Sequence, residues 1–368
     1  MSAIDITTHR DSSMIISSAQ LYSYQIPLDK LLPVGKQRID QRSGLVLRLQ
    51  VKGNSEAAKT ADLRTELVEI SPLSGLDIDG HPLMGFSQES MEDVSQQLVE
   101  RLDSLIDKPL IHLLDLADET QYPSLAFGLS LLYAKLIGQL DDSGLSQRKN
   151  TVIPLIYHTE GDPISTLHDR VRALSRDTHS VKIKVAQASL EEEIQLVHQV
   201  LAIRPDLKLR LDANRGFTLE QAIEFAACLP IHAIEYIEEP CIDHNDNPMF
   251  YRAIGMPWAL DETLNEPTFK FEMQPGLTAL IIKPMLMGTL EKIQKLQHQA
   301  DLYGVRTILS SSLEASLGIE ALARLNQIMS PDEAPGLDTL GAFSTDLIIE
   351  SGKTKCLRCD DLNLIKSV

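Results

Sequence analysis

The chain has 368 residues, enough for two to three domains or for one barrel with an added domain. Its formal net charge of −18 comes from 34 basic and 52 acidic residues. This excludes nucleic acid as the main partner, because binding to phosphates needs a basic surface. No run of eighteen apolar residues predicts a membrane span, and the first residues lack the basic start and apolar centre of a signal peptide. We therefore expect a cytosolic protein without a membrane partner.

The first 148 residues predict a small α+β domain. Residues 1–13 are polar, and we expect a disordered tail there. Three strand-like stretches come next, at 14–28, 43–51 and 65–73, and then two helix-like stretches, at 87–106 and 124–140. Strands followed by helices, without alternation, are typical of an α+β domain, which we predict over residues 14–148.

From residue 149 onward the pattern changes to strands that alternate with helices. Eight short apolar runs begin near residues 151, 181, 207, 234, 257, 277, 305 and 335. Capping boxes at Ser189–Glu192 and Thr218–Gln221 mark helix starts between these runs. Eight such units predict a parallel β/α barrel over residues 149–342. A doubly wound sheet is the alternative, which is disfavoured because no glycine-rich phosphate loop follows the first strand.

Three acidic residues stand where successive apolar runs end. They are Asp212, Glu238 and Asp261. The carboxyl ends of barrel strands form one mouth, where active sites are built. Three carboxylates that converge there would repel one another, and a hard divalent cation such as Mg²⁺ would remove the conflict. The sequence therefore predicts a magnesium site at the mouth.

Three lysines are expected to face this site from two sides. The stretch SVKIKV places Lys182 and Lys184 on one face of the second barrel strand, and Lys283 ends the sixth. On a ring of eight strands the second and sixth lie opposite each other. A nearby cation and a second lysine both favour the neutral amine, so that Lys184 can act as a base.

The motifs KIK, RLDAN, YIEEP, LDE, IIKP and SSSLEASLG, in this order, resemble the enolase superfamily and, within it, the muconate-lactonizing-enzyme subgroup. The resemblance implies a modified TIM (β/α) barrel with an N-terminal α+β capping domain, to which the segment 343–368 returns. It implies Mg²⁺ held by the three acids, with Mn²⁺ as a substitute. Lys184 would be the acid and base, Lys283 would face the other side of the substrate, and Lys182 would be the electrostatic neighbour of Lys184. Asn214 and Glu262 would support the metal ligands, with loop capping as the alternative.

Within the subgroup, the stretches RLDANRGF, IIKPMLMGTLEK and PGLDTL resemble members that dehydrate a hydroxycyclohexadiene carboxylate during menaquinone biosynthesis. The expected partner is a small dicarboxylate substrate, and the chain is a monomer or a homo-oligomer. Ser310, Ser311 and Ser312 could donate hydrogen bonds to its far end, and Gly288 could leave room for it or simply enter a helix.

A polar stretch at 29–43 is predicted to be a loop that closes over the mouth and shields it from water. It carries four cations, Lys30, Lys36, Arg38 and Arg42. We expect Arg38 to contact the substrate, although an ordinary solvated loop is the alternative.

Three other interpretations are compatible with parts of the pattern. A racemase or epimerase of the same superfamily would use Lys184 and Lys283 on opposite faces of a stereocentre. A catalytically inactive scaffold barrel would be expected to have lost one of these groups, and all are present. Cys356 and Cys359 form a single C-x-x-C, which is more typical of a packed strand than of a zinc or redox site.

Overall fold

We analysed a computed structural model, which describes residues 14–35, 37–53, 63–141, 152–156 and 164–368. The predicted tail at 1–13 and Lys36 lie outside the described residues. Among the described residues, no helix is both long and apolar enough to span a membrane. Most of the apolar stretch at 124–140 instead belongs to the helix Pro123–Leu136, which is buried along nearly its whole length.

The capping domain is a four-stranded antiparallel sheet covered by three helices. The strands are β1 (Met14–Val34), β2 (Gln37–Gly53), β3 (Leu63–Ile70) and the late strand β13 (Asn363–Ser367), in the order β13-β1-β2-β3. The helices are α1 (Met91–Leu105), α2 (His112–Glu119) and α3 (Pro123–Leu136). Alternate apolar side chains of the strands, such as Leu45, Leu47 and Leu49, pack into the core with α1 and α3.

The predicted loop at 29–43 is wrong: this stretch is the far end of a hairpin. β1 continues to Val34 and β2 starts at Gln37, with Leu32 paired to Ile39. Gly35, with φ +59°, makes the turn in a backbone conformation that suits glycine. The polar residues of the stretch mask the strand alternation, which is carried by few apolar side chains.

In the part of the barrel that the structure describes, seven parallel strands follow one another in consecutive order. They are β4 (Leu155–Ile156), β5 (Ser180–Lys184), β6 (Lys208–Asp212), β7 (Ile234–Glu238), β8 (Trp258–Leu260), β9 (Leu277–Ile282) and β10 (Arg306–Leu309). The helices are α4 (Ile164–Ala173), α5 (Leu190–Ile203), α6 (Leu219–Ala227), α7 (Asn247–Ile254), α8 (Pro284–Met287), α9 (Leu290–Asp301) and α10 (Ser316–Met329). Both predicted capping boxes are present, at the starts of α5 and α6.

The predicted eighth strand is wrong as a strand, although its residues close the barrel. Among the described residues, it forms one isolated bridge, between Gly336 and Ser310. Gly336 N donates to Leu309 O at 2.8 Å, and Ile153 N donates to Pro335 O at 3.1 Å on the opposite edge. Pro335 has no N–H to donate, which limits the ladder. The modified barrel is therefore closed by an irregular segment.

The C-terminal part leaves the barrel and reaches the cap. A short parallel pair joins β11 (Asp346–Leu347) to β12 (Cys356–Leu357), and β13 then pairs with β1. Cys356 lies in a strand, as expected, and Cys359 begins a short 3₁₀ turn; both are free thiols.

Candidate active site

The strand register brings the predicted acids and lysines to one end of the barrel. Lys184 is paired with Asp212, and Asp212 with Glu238, on three neighbouring strands. Asp261 directly follows β8, whose Ala259 is paired with Glu238. The three carboxylates are buried, with side chains at most 4% exposed. The parallel sheet therefore assembles the set at the mouth.

Lys182 bridges two of the acids. Its Nζ lies 2.9 Å from Asp212 Oδ2 and 2.7 Å from Glu238 Oε2. Burial alone would lower the pKa of Lys182, but the charges of Asp212, Glu238 and Asp261 outweigh burial and raise it well above its usual range. One ammonium cannot compensate two buried carboxylates, so the pKa of Asp212 is lowered while burial raises that of Glu238 to about 8.

Lys184 has a different kind of partner. Its Nζ donates to Asn214 Oδ1 at 2.9 Å and lies 3.7 Å from Asp212 Oδ2. Asn214 Nδ2 in turn donates to Glu262 Oε1 at 2.9 Å. The two residues predicted to support the metal ligands therefore form one chain that orients Lys184. The principal contact of this lysine is an amide oxygen and not a carboxylate.

Lys283 approaches from the sixth strand of the barrel. Its Nζ lies 2.6 Å from Asp261 Oδ2, and its pKa is raised because the charges of Asp261 and Glu262 outweigh the effect of burial. Burial and the charge of Asp261 raise the pKa of Glu262 to about 7. Negative charge is thus incompletely compensated on this side of the mouth.

The donor set fits a hard divalent cation. As the described side chains stand, no three His, Cys, Asp or Glu groups converge on one cation position, because ammonium groups lie among the carboxylates. However, Asp261 Oδ1 and Glu262 Oε2 are buried and have no hydrogen-bond partner in the described part of the chain. Buried oxygens without a partner are costly. All-oxygen donors on adjacent strands, with unpaired lone pairs, are what Mg²⁺ prefers.

A set of buried glutamates, which were not predicted from the sequence, holds the loops of the mouth. Glu193, on α5, accepts from Ala186 N at 2.7 Å, Gln187 N at 2.5 Å and Ala188 N at 2.9 Å, directly after the lysine strand. Glu239 accepts from Asp261 N and Thr263 N, both at 3.1 Å. For Glu193, the signal in the sequence is a charged residue on the buried face of an amphipathic helix.

The predicted serines lie at the mouth, but their hydroxyls are largely engaged. Ser310 Oγ donates to Gly336 O at 3.2 Å, and Ser311 Oγ lies 3.1 Å from Thr339 Oγ1. Ser312 Oγ is buried and has no partner among the described residues. Gly288 ends α8 with φ +105°, next to α3 of the cap. A side chain there would be strained, so backbone geometry explains this glycine.

The predicted lid cations are not equivalent. Lys30 and Arg38 are exposed on the two arms of the hairpin. Arg42 is only 3% exposed, and its guanidinium donates to main-chain carbonyls. The prediction that Arg42 belongs to a loop over the mouth is therefore wrong, because this residue lies in β2 and its side chain is built into the junction between the cap and the barrel.

Comparisons with known proteins agree with this architecture. The profile described as "Enolase C-terminal domain-like" matches residues 166–352, and "MenC, N-terminal domain" matches residues 16–136. The o-succinylbenzoate synthase of Aliivibrio fischeri (strain MJ11) is 34% identical over 90% of this chain and 93% of that protein. The enzyme of Haemophilus influenzae is 32% identical over 89% and 91%.

A solved structure shows the same fold. The o-succinylbenzoate synthase from Thermosynechococcus elongatus BP-1, complexed with Mg in the active site, matches with a TM-score of 0.63 and 21% identity, over 86% of this chain and 92% of that chain. The barrel, the cap and these relatives agree: the chain belongs to the o-succinylbenzoate synthase family, a hydro-lyase family of the enolase superfamily.

Proposed function

We propose that this chain dehydrates 2-succinyl-6-hydroxy-2,4-cyclohexadiene-1-carboxylate to 2-succinylbenzoate, a step of menaquinone biosynthesis. The observation that carries the proposal is the difference between the lysines. Lys182 and Lys283 contact carboxylates, whereas Lys184 donates to the amide oxygen of Asn214. Relatives that are 32–34% identical support the same reaction.

We assign the metal ligands to Asp212, Glu238 and Asp261, with Mg²⁺ as the ion and Mn²⁺ as a substitute. The orphaned Asp261 Oδ1 supports this assignment. When bound, the cation supplies electrostatic stabilisation for the negative charge that develops on the substrate carboxylate. Asn214 and Glu262 keep the neighbouring side chains in register through their mutual hydrogen bond.

In the proposed reaction, Lys184 in its neutral form removes the proton from the ring carbon that bears the carboxylate. The electron pair of that bond moves toward the carboxylate, giving an ene-diolate. The C–O bond of the 6-hydroxyl group then breaks. The leaving hydroxide takes the proton from the Lys184 ammonium and departs as water, so that Lys184 is neutral again and the ring is aromatic.

Lys182 and Lys283 act as fixed cations in this scheme. Both have carboxylate partners closer than 3 Å, and we assign Lys283 to stabilising the ene-diolate across the substrate from Lys184. A racemase would need Lys283 as a second base. Its 2.6 Å contact with Asp261 favours the ammonium form and hence dehydration.

One assay tests the proposal against the racemase. Purified protein, stripped of metal and reloaded with Mg²⁺, is given the cyclohexadiene substrate, and loss of the diene absorbance is followed. N-succinyl amino acids are tested in parallel for loss of optical rotation. We expect Mg²⁺-dependent diene loss, partly restored by Mn²⁺. Racemisation without diene loss would overturn the proposal.

We also propose that the chain divides into a tail at 1–13, a cap at 14–148, a barrel at 149–342 and a returning segment at 343–368. The pairing of β13 with β1 supports the last of these. The cytosolic location stays a prediction, as does the contact of Arg38, Gly288 or the three serines with substrate.

A further inference from the structure

A buried polar cluster joins the cap to the barrel beside the mouth, and the proposed reaction uses none of it. Its centre is formed by Arg42 from β2 and Glu69 from β3, which we call the cap clamp. Arg42 is 3% exposed and Glu69 is 2% exposed. Burying charged groups is costly unless their hydrogen bonds are satisfied, so the contacts of the clamp indicate what it holds.

Arg42 donates to main-chain carbonyls of both the cap and the barrel. Within the cap, Nη2 donates to Ser71 O at 2.6 Å and Nη1 to Pro72 O at 2.9 Å. Across the junction, Nε donates to Leu313 O at 3.0 Å and Nη2 to Ser312 O at 3.3 Å. The planar fork of arginine serves these directions together, which the single ammonium of a lysine cannot do.

The carbonyls on the barrel side belong to a strained segment next to the proposed substrate site. Leu313 has φ +63°, a left-handed conformation that non-glycine residues adopt only when their surroundings impose it. It follows Ser310, Ser311 and Ser312 directly. The contact from Arg42 Nε therefore fixes the course of the chain at the end of the serine run.

Glu69 holds the same segment from the other side. Its carboxylate accepts from Ala315 N and Gly318 N, both at 2.9 Å, at the start of α10. It also accepts from Tyr24 Oη at 2.6 Å and from Ser71 Oγ at 2.9 Å, both in the cap. A carboxylate is favoured at a helix N-terminus. Residues 312–318 are thus held by two cap side chains.

The cap side of the clamp leads to a second structure that faces outward. After Pro72 the chain forms the segment 73–87, which is tied to the hairpin by Gln37. Gln37 Nε2 donates to Asp77 Oδ2 at 2.8 Å, and Met84 N donates to Gln37 Oε1 at 2.9 Å. Gln37 therefore links the hairpin end to segment 73–87, and Arg42 connects this part of the cap to residues 310–312, which we call the serine rim.

We propose that the cap clamp is a positioning device that sets the cap against the serine rim and thereby determines affinity for the organic substrate. This rests on the proposed function. Arg42 and Glu69 touch neither substrate nor metal in this assignment, and they act through Ser312, Leu313 and the start of α10. The clamp therefore contributes to KM and leaves proton transfer at Lys184 unchanged.

The test compares Arg42→Lys and Glu69→Gln with Arg48→Lys, a matched control. Arg48 lies on the same strand and bonds Gln20 within the cap. We expect Arg42→Lys to raise KM at least tenfold with kcat changed less than threefold, and Glu69→Gln to raise KM several-fold. Mg²⁺ affinity by calorimetry should stay within twofold. Arg48→Lys should match the parent.

Hydrogen exchange provides a readout that is independent of turnover. In Arg42→Lys, we expect faster exchange in both 71–87 and 312–318, because the link between them is weakened. If the parent does not dehydrate the substrate, the proposed function fails and exchange alone decides the clamp. Unchanged KM and exchange, or an equal loss of kcat and Mg²⁺ affinity, would overturn the clamp. If Arg42→Lys does not fold, Glu69→Gln decides.

Discussion

Two lysines on one face of one strand receive different environments from their partners. Lys182 is fixed between two carboxylates, and Lys184 is oriented by the Asn214–Glu262 pair. At an effective dielectric near 20, two positive charges carried by alternate residues of one strand repel each other by about 2 to 3 kcal/mol. The neighbouring acids offset this cost at Lys182, whereas the principal contact of Lys184 is the amide oxygen of Asn214.

Replacing Lys184 by alanine should therefore remove the acid and base while leaving the carboxylates in place. We expect kcat for loss of the diene to fall by about 10³-fold or more, in line with general acid–base catalysis. Calorimetric Mg²⁺ binding should persist. Lys208→Ala is the control, since Lys208 starts the next strand, is exposed and bonds His232 O. Normal turnover by Lys184→Ala would end the mechanism.

The variant Lys283→Arg tests whether a positive charge alone is sufficient on the side of the substrate opposite Lys184. In Lys283→Arg the charge is retained, but the guanidinium is larger and planar, and it cannot take the place of a compact ammonium 2.6 Å from Asp261 Oδ2. We expect kcat to fall by about a hundredfold. Lys295→Arg, in an exposed helical ion pair with Glu291, should have no effect. Retention of activity in Lys283→Arg would show that only the charge matters.

At the scale of elements, the loops after the barrel strands share a strained geometry. Positive φ occurs at non-glycine residues after β5, β6, β7 and β10, at Ala186, Asn214, Arg215, Glu239 and Leu313. Such residues cost about 1–3 kcal/mol each and persist only where their surroundings impose the conformation. Buried side chains hold these residues in place. Glu193 accepts a hydrogen bond from Ala186 N after β5, Glu239 forms an ion pair with Arg215, and Arg42 donates to Leu313 O.

Glu193→Gln tests this constraint at the lysine strand. The amide can accept from only one of its two terminal atoms, so at least one of the N–H groups at 186–188 loses its partner. We expect the free energy of unfolding in urea to fall by about 1–3 kcal/mol. Glu191→Gln, on the exposed first turn of the same helix, should change it by less than about 0.5 kcal/mol. Equal effects would contradict the role of Glu193.

Much of this architecture follows from local patterns in the sequence. The apolar runs that became β5 to β10 each end at a charged or hydroxyl-bearing side chain, and capping boxes predicted the starts of α5 and α6. The hairpin end was missed because polar residues interrupt the alternation of Leu32, Val34 and Ile39. The glutamates were missed because periodicity identifies a helix face but not which distant N–H needs an acceptor.

For the whole molecule, the junction between cap and barrel is polar as well as apolar. Glu314 is buried there, with Oε2 accepting from Ser312 N at 2.6 Å and Oε1 without a partner among the described residues. Burial and the charge of Glu69 raise the pKa of Glu314 to about 7, and together they outweigh the charge of Arg42, which lowers this pKa. Tyr24, whose pKa is also raised by burial, donates to Glu69 in the same cluster.

A raised carboxyl pKa makes stability depend on pH with a known sign. Below pH 4.5 Glu314 is protonated in both states; as pH rises to about 7, only the unfolded state ionises, so the native protein loses stability. Glu314→Gln should remove this loss of stability. We expect the free energy of unfolding of the variant, relative to the parent, to increase from pH 5 to pH 8 by up to roughly 3 kcal/mol. Exposed Glu272→Gln should show no such trend, and a flat difference for Glu314→Gln would contradict the assignment.

The pairing of β13 with β1 also has a consequence for biosynthesis. β1 ends at Val34, and the strand that covers its edge starts at Asn363. At about 5–20 residues per second, a ribosome needs roughly 20 to 60 s to make the chain between them. During that interval the edge of β1 that later pairs with β13 is bare, so the sheet of the cap is completed only after the barrel has been translated.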